Sequence, residues 1–586
     1  MSPRTPAPAR RCFDLRAFPS LGHALDEASF RCRSNPFLIE TDRGEVVSEL
    51  DFRALRAEAA RCAELLRRHG AAPGARLALL LANGPRWIVA AYAGLLLGCV
   101  LVPLDARAEP EGQAALLAHS RARLLVTDGP VWRRLAAKVP AGALDLALVN
   151  RPLPGSGREA SAAAPCPVAS WEEALPPDAP PLEPCAARGR EDPAAIVYSS
   201  GTSGRPKGCV LSHESYLSQL ETLANTFPLE EDDVYLSVLP SNHALDFMCG
   251  FLVPLLCGAR VVHLRTLRPE WIVQALVDQR VTHLSAVPAL LLALERRIRE
   301  RLDALERLPA AGLRGFTKLN AWLTEGRPRP WLSRALLRPV HQALGGRLKT
   351  IFAGGAPVPA EVARRLYELG IPVAIGYGLT EACAVVSVNT LDPFRADTVG
   401  PPLPGLEVRL ADRDAAGRGE VLVRGASVFQ GYLDDEELTR EALRDGWLHT
   451  GDLGELDATG HLRLVGRKKH MVVTAGGKNV YPEDVERRFE GVACEELAVL
   501  ASQQVWSARP GEDEALILAL RPRAGDAPDA ILVELAARNR ALPAYQRLVG
   551  ALVVERAFPR TTSLKLKRDD LARDLAVHPR DALRPL

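Results

Sequence analysis

The chain has 586 residues, too many for one hydrophobic core, so two or more domains are expected. Hydrophobic residues make up 47% of it and charged residues 25%, the balance of a globular protein. The 73 basic and 71 acidic residues leave a net charge of only +2, without the basic excess that a nucleic-acid partner favours. Eleven cysteines, with no Cys-x-x-Cys pair and several in apolar runs (Cys99, Cys249, Cys257), read as reduced thiols in a cytoplasmic compartment rather than as zinc ligands.

Met1 to Arg11 is rich in Pro and Arg and has no apolar signal core. Arg76 to Leu81 is expected as a strand, followed by a helix from Pro85. The apolar run Trp87 to Leu104 approaches the length of a membrane span, but Gly94, Gly98 and Pro103 interrupt it. It reads as a buried helix to Leu97 and a strand from Cys99 to Val102, with no transmembrane segment, which leaves peripheral contact with a bilayer open. Ala122 to Thr127 is a further strand, and residues 151 to 193 an exposed Pro/Ala/Gly/Ser connector. Strands at Arg260 to His263 and Thr282 to Ala286 flank a helix from Glu270 to Gln279. This alternation predicts α/β layers with largely parallel sheets. Residues 290 to 345 read as a basic helical excursion, either a solvated face or the lid or wall of a substrate tunnel. From Val399 the texture becomes β-rich, with strands Glu407 to Leu410 and Gly419 to Arg424 in a small barrel-like unit. A last α+β unit after Gly466 has strands Leu497 to Leu500, Glu514 to Leu520 and Ala551 to Val554, and helices Pro482 to Phe489 and Ala530 to Arg540.

The most informative run is residues 198 to 213, Tyr-Ser-Ser-Gly-Thr-Ser-Gly-Arg-Pro-Lys-Gly-Cys-Val-Leu-Ser-His. Small hydroxyls and glycines let a loop turn backbone N–H groups toward an anion, and the Lys207 ammonium adds fixed positive charge. A Gly-x-x-x-x-Gly-Lys-Ser/Thr loop would open directly into a helix. Here the loop joins two strands, Ala194 to Tyr198 and Gly208 to Leu211, and the helix starts only near Ser212.

This run closely resembles the AMP-binding signature of adenylate-forming enzymes, which include acyl-CoA synthetases, peptide-synthetase adenylation domains and luciferases. Four more runs follow in that family's order: Gly376-Tyr-Gly-Leu-Thr-Glu-Ala382, Thr450-Gly-Asp452, Gly466-Arg-Lys-Lys469 continuing to Gly476-Gly-Lys-Asn-Val-Tyr-Pro482, and Pro559-Arg-Thr561 with Lys565. The resemblance implies an N-terminal extension (1–26), a large domain (27–466) and a small mobile C-terminal domain (467–586). It implies ATP, Mg²⁺ and coenzyme A, with Thr202, Ser203 and Lys207 gripping the β- and γ-phosphates. Thr380 would contact the α-phosphate and Glu381 would bind Mg²⁺. Tyr377 would stack on adenine, beside Gly354, Gly355 and Ala356. Asp452 would take the ribose hydroxyls, with Arg467 near them. Lys565 would bridge the carboxylate and the α-phosphate, and Lys469 would be the hinge between the two half-reactions. The usual glycine before the catalytic lysine is Leu564 here.

His243 matches the family position beside the substrate carboxylate. Phe247, Met248, Phe251, Leu252 and Val253 are expected as one wall of an acyl pocket, Val287-Pro288 with Leu290 to Leu292 as a second, and Ala384 to Val386 as a third. Asp246 raises amino-acid activation as an alternative, although its surroundings suit acyl-CoA synthetases better. The resemblance therefore implies a free-standing acid–thiol ligase like bacterial medium- or long-chain fatty acyl-CoA synthetases. Two alternatives remain open at this point: transfer to an acyl carrier protein, and a nucleotide-binding protein without ligase activity.

Overall fold

The computed structural model describes residues 12–150, 165–199, 207–303, 310–324, 326–473, 479–507, 514–560 and 566–586. Two eight-stranded sheets carry the larger part of the chain. In the first, Pro36–Asp42, Arg260–Leu264, Val234–Ser237, His283–Ala286, Thr350–Ala353 and Val373–Tyr377 run parallel. Antiparallel Glu45–Asp51 and Ser387–Val388 close its edges. In the second, Val100–Pro103, Arg76–Leu80, Leu124–Asp128, Leu146–Asn150 and Val168–Ser170 are parallel. Pro193–Ser199 joins it parallel to Val100–Pro103, and Lys207–Ser212 and then Gly431–Tyr432 extend it, each antiparallel to the strand before. The expected α/β layering is what the chain forms.

Helices fill the space between the sheets. Pro85–Leu96 is buried at nearly every position, and Trp87 meets Phe247 and Phe251 edge-on at 5.7 and 5.8 Å. Burial on all sides by protein, not lipid, explains its apolar run, since a helix apolar all round seeks a fully covered site. Among the described residues no helix is long and apolar enough to cross a membrane. The strand after it is Val100–Pro103, one residue later than expected, and the expected Ala122 strand starts at Leu124. None of the eleven cysteines forms a disulfide.

Two expectations need correction. The stretch from 151 to 193 is not simply an exposed connector: its described part holds a strand, Val168–Ser170, and a short helix whose Trp171 is 1% exposed. A large aromatic outweighs the turn-rich composition around it, and Arg86 lies over its ring at 4.9 Å. The boundary at residue 27 falls inside helix Leu21–Arg31, whose Leu21, Ala24 and Leu25 belong to the same buried core.

The β-rich unit is an antiparallel sheet of Leu406–Ala411, Gly419–Gly425, Trp447–Leu456, Leu443–Arg444 and Leu462–Arg467, a half-barrel-like layer. The last unit is a four-stranded sheet of Glu496–Ala501, Leu516–Arg521, Leu548–Val553 and Arg584–Pro585. Its strands alternate with period two. Val499, Leu516 and Leu518 face Val485 and Leu535 of one helical layer, while Leu500, Ile517 and Ala519 face Leu571 and Leu575 of the other.

Candidate active site

Loops at the carboxyl ends of parallel strands are where open α/β sheets bind ligands. Here the ends of Thr350–Ala353 and Val373–Tyr377 present Gly354, Gly355 and the run Gly376 to Thr380 side by side, and all of them line one cavity of about 150 Å³. Gly378 has a steric reason: a Cβ there would overlap the Ala384 carbonyl. Immediately after the Thr380–Ala382 turn the backbone reverses through positive φ at Cys383 (53°) and Ala384 (90°). Such conformations are uncommon for residues with a Cβ. The reversal sets Ala384 and Val385 into the cavity wall.

The opposite end of the cavity is apolar. Leu223, Phe227, Tyr235 and Phe352 line it, with Val253, Val287 and His243. Phe227 meets Phe352 edge-on at 5.5 Å, and Tyr235 is hydrogen-bonded to Ser285. His243 sits at the start of the short helix Ala244–Asp246, its backbone N–H donating to the Pro240 carbonyl at 3.0 Å. The predicted walls are only partly right. Phe247, Met248, Phe251 and Leu252 are packed away into the core around Trp87, because the helical turn that exposes Cys249 and Val253 to the cavity points them the other way. Of the second wall only Val287 lines the cavity: Leu291 is fully buried elsewhere and Leu292 is exposed.

Asp246 does not reach the cavity and so offers no anchor for a substrate amine. It is buried, with Ser237 donating to its carboxyl oxygens at 2.9 and 3.2 Å and Ser241 at 3.0 Å. Burial, against these hydrogen bonds, pushes its pKa from 3.8 up to about 7.

Two tyrosine hydroxyls organise the polar side. Tyr377 donates to Asp452 Oδ2 at 2.9 Å, and the Arg467 Nε lies 2.7 Å from Asp452 Oδ1. Asp452 and Arg467 are register partners on neighbouring antiparallel strands. The Asp452 charge raises the Arg467 pKa further, and burial raises that of Tyr377, so the phenol stays a donor. The Thr450-Gly-Asp run is a kinked strand. Gly451 has φ +69°, its N–H reaches Glu420 Oε1 at 3.1 Å, and the Asp452 N–H donates to Thr450 Oγ1 at 3.0 Å. Lys468 pairs with the other Glu420 oxygen at 2.9 Å.

The second hydroxyl is that of Tyr432, which donates to Glu381 Oε1 at 2.9 Å. The Lys207 ammonium lies 5.3 Å from the centre of the same ring, in cation–π range. Strand Gly431–Tyr432 pairs with Lys207–Ser212, placing Tyr432 opposite Cys209, and the Phe429 N–H donates to the Glu381 carbonyl at 2.8 Å. One ring thus joins the end of the serine-glycine loop to the Thr-Glu turn. Burial first, and then the Glu381 charge, hold the Tyr432 phenol protonated. Tyr432 and Glu420 were not singled out from sequence, their only local signs being a Gly-Tyr and a Gly-Glu at strand starts; Lys468 lies inside the Gly466-Arg-Lys-Lys469 run but was given no role of its own.

Of the expected site residues, His243, Gly354, Gly355, Tyr377 and Thr380 line the cavity. Asp452 and Arg467 join it through Tyr377, and Lys207 and Glu381 meet at Tyr432. Ala356 is half-buried two residues beyond the cavity-lining Gly354 and does not line it. Lys469 lies in the turn Lys468–His470, its ammonium 3.6 Å from Asp569. Nearby, Arg568 pairs with Glu486 at 2.8 Å and Glu483 at 3.3 Å, and Glu483 takes His470 at 2.9 Å. This chain of charges ties the stretch after residue 565 to the turn. Thr202, Ser203, Leu564, Lys565 and the Gly476-Gly477 run lie outside the described residues.

Residues 31–433 match the family of AMP-binding enzymes. The chain belongs to this family. The long-chain-fatty-acid–CoA ligase FadD15 of Mycobacterium bovis is 30% identical over 443 residues, 71% of this chain and 69% of that protein. A feruloyl-CoA synthase of Amycolatopsis is 29% identical over 79% of this chain and 82% of its own length. The anthranilate CoA ligase AuaEII, solved with anthranoyl-AMP, has the same fold, with a TM-score of 0.76 over 96% of this chain and 99% of its own at 21% identity. The motif-based assignment to adenylate-forming enzymes resembling fatty acyl-CoA synthetases therefore holds, and the chain is an AMP-forming acid–thiol ligase of this family.

Two outcomes follow from this geometry. Tyr432→Phe removes a hydrogen bond to a carboxylate, so acid-dependent pyrophosphate release should fall about tenfold or more. An unchanged rate would remove Tyr432 from the site. Between pH 4 and 7 folded Asp246 keeps a proton that the unfolded chain has lost, so stability falls as pH rises across that window. Relative to Asp246→Asn, the wild-type unfolding free energy should drop by up to about 4 kcal/mol from pH 4 to pH 7. A pH-independent offset would contradict the buried, protonated state.

Proposed function

We infer that this enzyme activates an apolar carboxylic acid of medium size with ATP and passes the acyl group to coenzyme A. The observation that carries this reading is the cavity: apolar at one end, and joined at the other to Thr380, Tyr377 and the two tyrosine-held carboxylates. Leu223, Phe227, Tyr235 and Phe352 in its lining suit the hydrocarbon part of such an acid.

In the first half-reaction a carboxylate oxygen attacks the α-phosphorus of ATP and pyrophosphate leaves. The barrier is repulsion between two anions, so fixed cations and aligned donors lower it. We assign Lys207, with Thr202 and Ser203, to the β- and γ-phosphates, Thr380 to the α-phosphate and His243 to the substrate carboxylate. Tyr377 would offer its ring to adenine while its hydroxyl holds Asp452 for the ribose, beside Arg467. Gly354 and Gly355, with Ala356 behind them, leave room for the base. Glu381 suits Mg²⁺, which binds through one or two carboxylates and completes its sphere with substrate phosphates and water. Bound there, Mg²⁺ would neutralise phosphate charge. Lys565 would bridge carboxylate and phosphate.

In the second half-reaction the thiolate of coenzyme A attacks the acyl carbonyl and AMP leaves. We assign Lys469 as the pivot between a unit ending near 466 and the remainder to 586, so that Lys565 withdraws before the thiol enters. The Lys469–Asp569 pair would then be remade with each turnover.

An aromatic acid is a second reading, favoured by the Phe227–Phe352 pair and Tyr235 in the cavity wall and by the feruloyl-CoA synthase among the relatives. Incubating the enzyme with ATP, Mg²⁺, coenzyme A and, separately, octanoate, palmitate and cinnamate, then quantifying each thioester, separates the readings. Octanoate should give most product; a cinnamate excess would establish the aromatic reading, and no thioester from any acid would overturn both. Lys565→Ala should suppress adenylation about a hundredfold or more while leaving thioester formation from supplied acyl-AMP within a few-fold. Equal loss of both steps would contradict its role.

A further inference from the structure

The helical excursion between residues 288 and 345 buries Leu291, Leu294, Ile298, Leu337, Val340 and Leu344 at its two ends, but its middle is built the wrong way round for a helix packed only against its own protein. Among the described side chains of the helix Ala310–Thr324 the buried ones are Asn320 and Thr324, while Phe316, Leu319 and Trp322 are 43%, 41% and 67% exposed. The polar residues are turned inward by specific bonds. Ser333 donates to Asn320 Oδ1 at 2.9 Å, and Asn320 Nδ2 donates to the Glu368 carbonyl at 3.1 Å. The next helix, Pro330–Leu336, begins with Trp331, 71% exposed. Of the eight tryptophans only Trp322 and Trp331 are exposed, and they flank one short turn. A globular helix normally places its apolar stripe against the core.

Charge gives the apolar face a direction. Residues 288 to 345 contain eleven Lys and Arg against five Asp and Glu, although the whole chain carries only +2. Lys318, Arg327, Arg329 and Arg338, all close in sequence to one or other tryptophan, are exposed. Tryptophans flanked by cations on a short amphipathic element match the anionic boundary of a lipid bilayer, where indole rings sit among headgroups. No described residue of the excursion after Val287 lines the cavity, so this face is separate from the acyl pocket.

We propose that this face, centred on Trp322 and Trp331, docks the enzyme onto an anionic membrane surface without crossing it. The proposal does not depend on which acid is activated. The test is sedimentation of the full chain with vesicles of phosphatidylcholine alone and of phosphatidylcholine containing phosphatidylglycerol. The wild type should sediment with the anionic vesicles, less so as salt rises, because headgroup attraction is screened. Trp322→Ser with Trp331→Ser should lower partitioning at least about tenfold through lost apolar burial. Lys318→Glu with Arg329→Glu should lower it about thirtyfold or more on anionic vesicles. Val577→Ser, an equally exposed apolar site elsewhere at 79% exposure, should partition like the wild type. Unfolding midpoints matching the wild type confirm that the variants are folded. Absence of sedimentation at low salt, or equal sedimentation of all four proteins, would overturn the proposal. So would a concentration-dependent dimer abolished by the tryptophan variant, because the face would then belong to a second copy of this chain.

Discussion

Both carboxylates of the site are held by a tyrosine hydroxyl, Asp452 by Tyr377 and Glu381 by Tyr432, each at 2.9 Å. An ionised carboxylate beside an apolar cavity is costly unless it is hydrogen-bonded, and a buried phenol is costly unless it donates. Each pair settles both costs and leaves the remaining carboxylate capacity aimed where polar ligand groups can meet it. The same two rings weld the molecule together. Tyr377 ties the first sheet to the half-barrel-like layer through Asp452, and Tyr432 ties the Lys207 strand to the Thr380–Ala382 turn. Donors fixed before the substrate arrives are the arrangement that phosphoryl chemistry rewards, because nothing need reorganise as charge develops.

The sheets and the order of the motifs were legible in the sequence because they rest on local signals. Parallel strands buried on both faces read as continuous apolar runs, and the motifs consist of contiguous residues. Tyr377 was legible only as a ring. That its hydroxyl reaches a carboxylate 75 residues away depends on where the half-barrel-like layer docks, which no local pattern encodes. Tyr432 lies 51 residues from Glu381, on a two-residue strand with no periodicity to mark it. Trp171 was hidden by the turn-rich composition around it. The acyl walls were mistaken for a general reason: an apolar run beside a pocket serves pocket and core together, and only the turn geometry decides which side chains face which.

The helical excursion shows the converse. Its basic character was readable from composition, but its orientation was not. A helix with Leu319 and Trp322 on one side and Asn320 and Thr324 on the other would ordinarily be expected to bury the former. Hydrogen bonds from Ser333 and to the Glu368 carbonyl reverse that choice. An enzyme acting on lipophilic acids would gain from such a surface, since its substrate partitions into bilayers, and no described residue of the excursion lines the cavity.

The central claim is that a carboxylic acid becomes reactive here by capture as a mixed anhydride with AMP. Exchange of labelled pyrophosphate into ATP by the purified chain, with Mg²⁺ and a broad set of acids, tests it most directly. The account predicts exchange that requires an acid and is strongest for apolar acids of medium size. Exchange that is absent for every acid, or that proceeds equally well with none added, would contradict it.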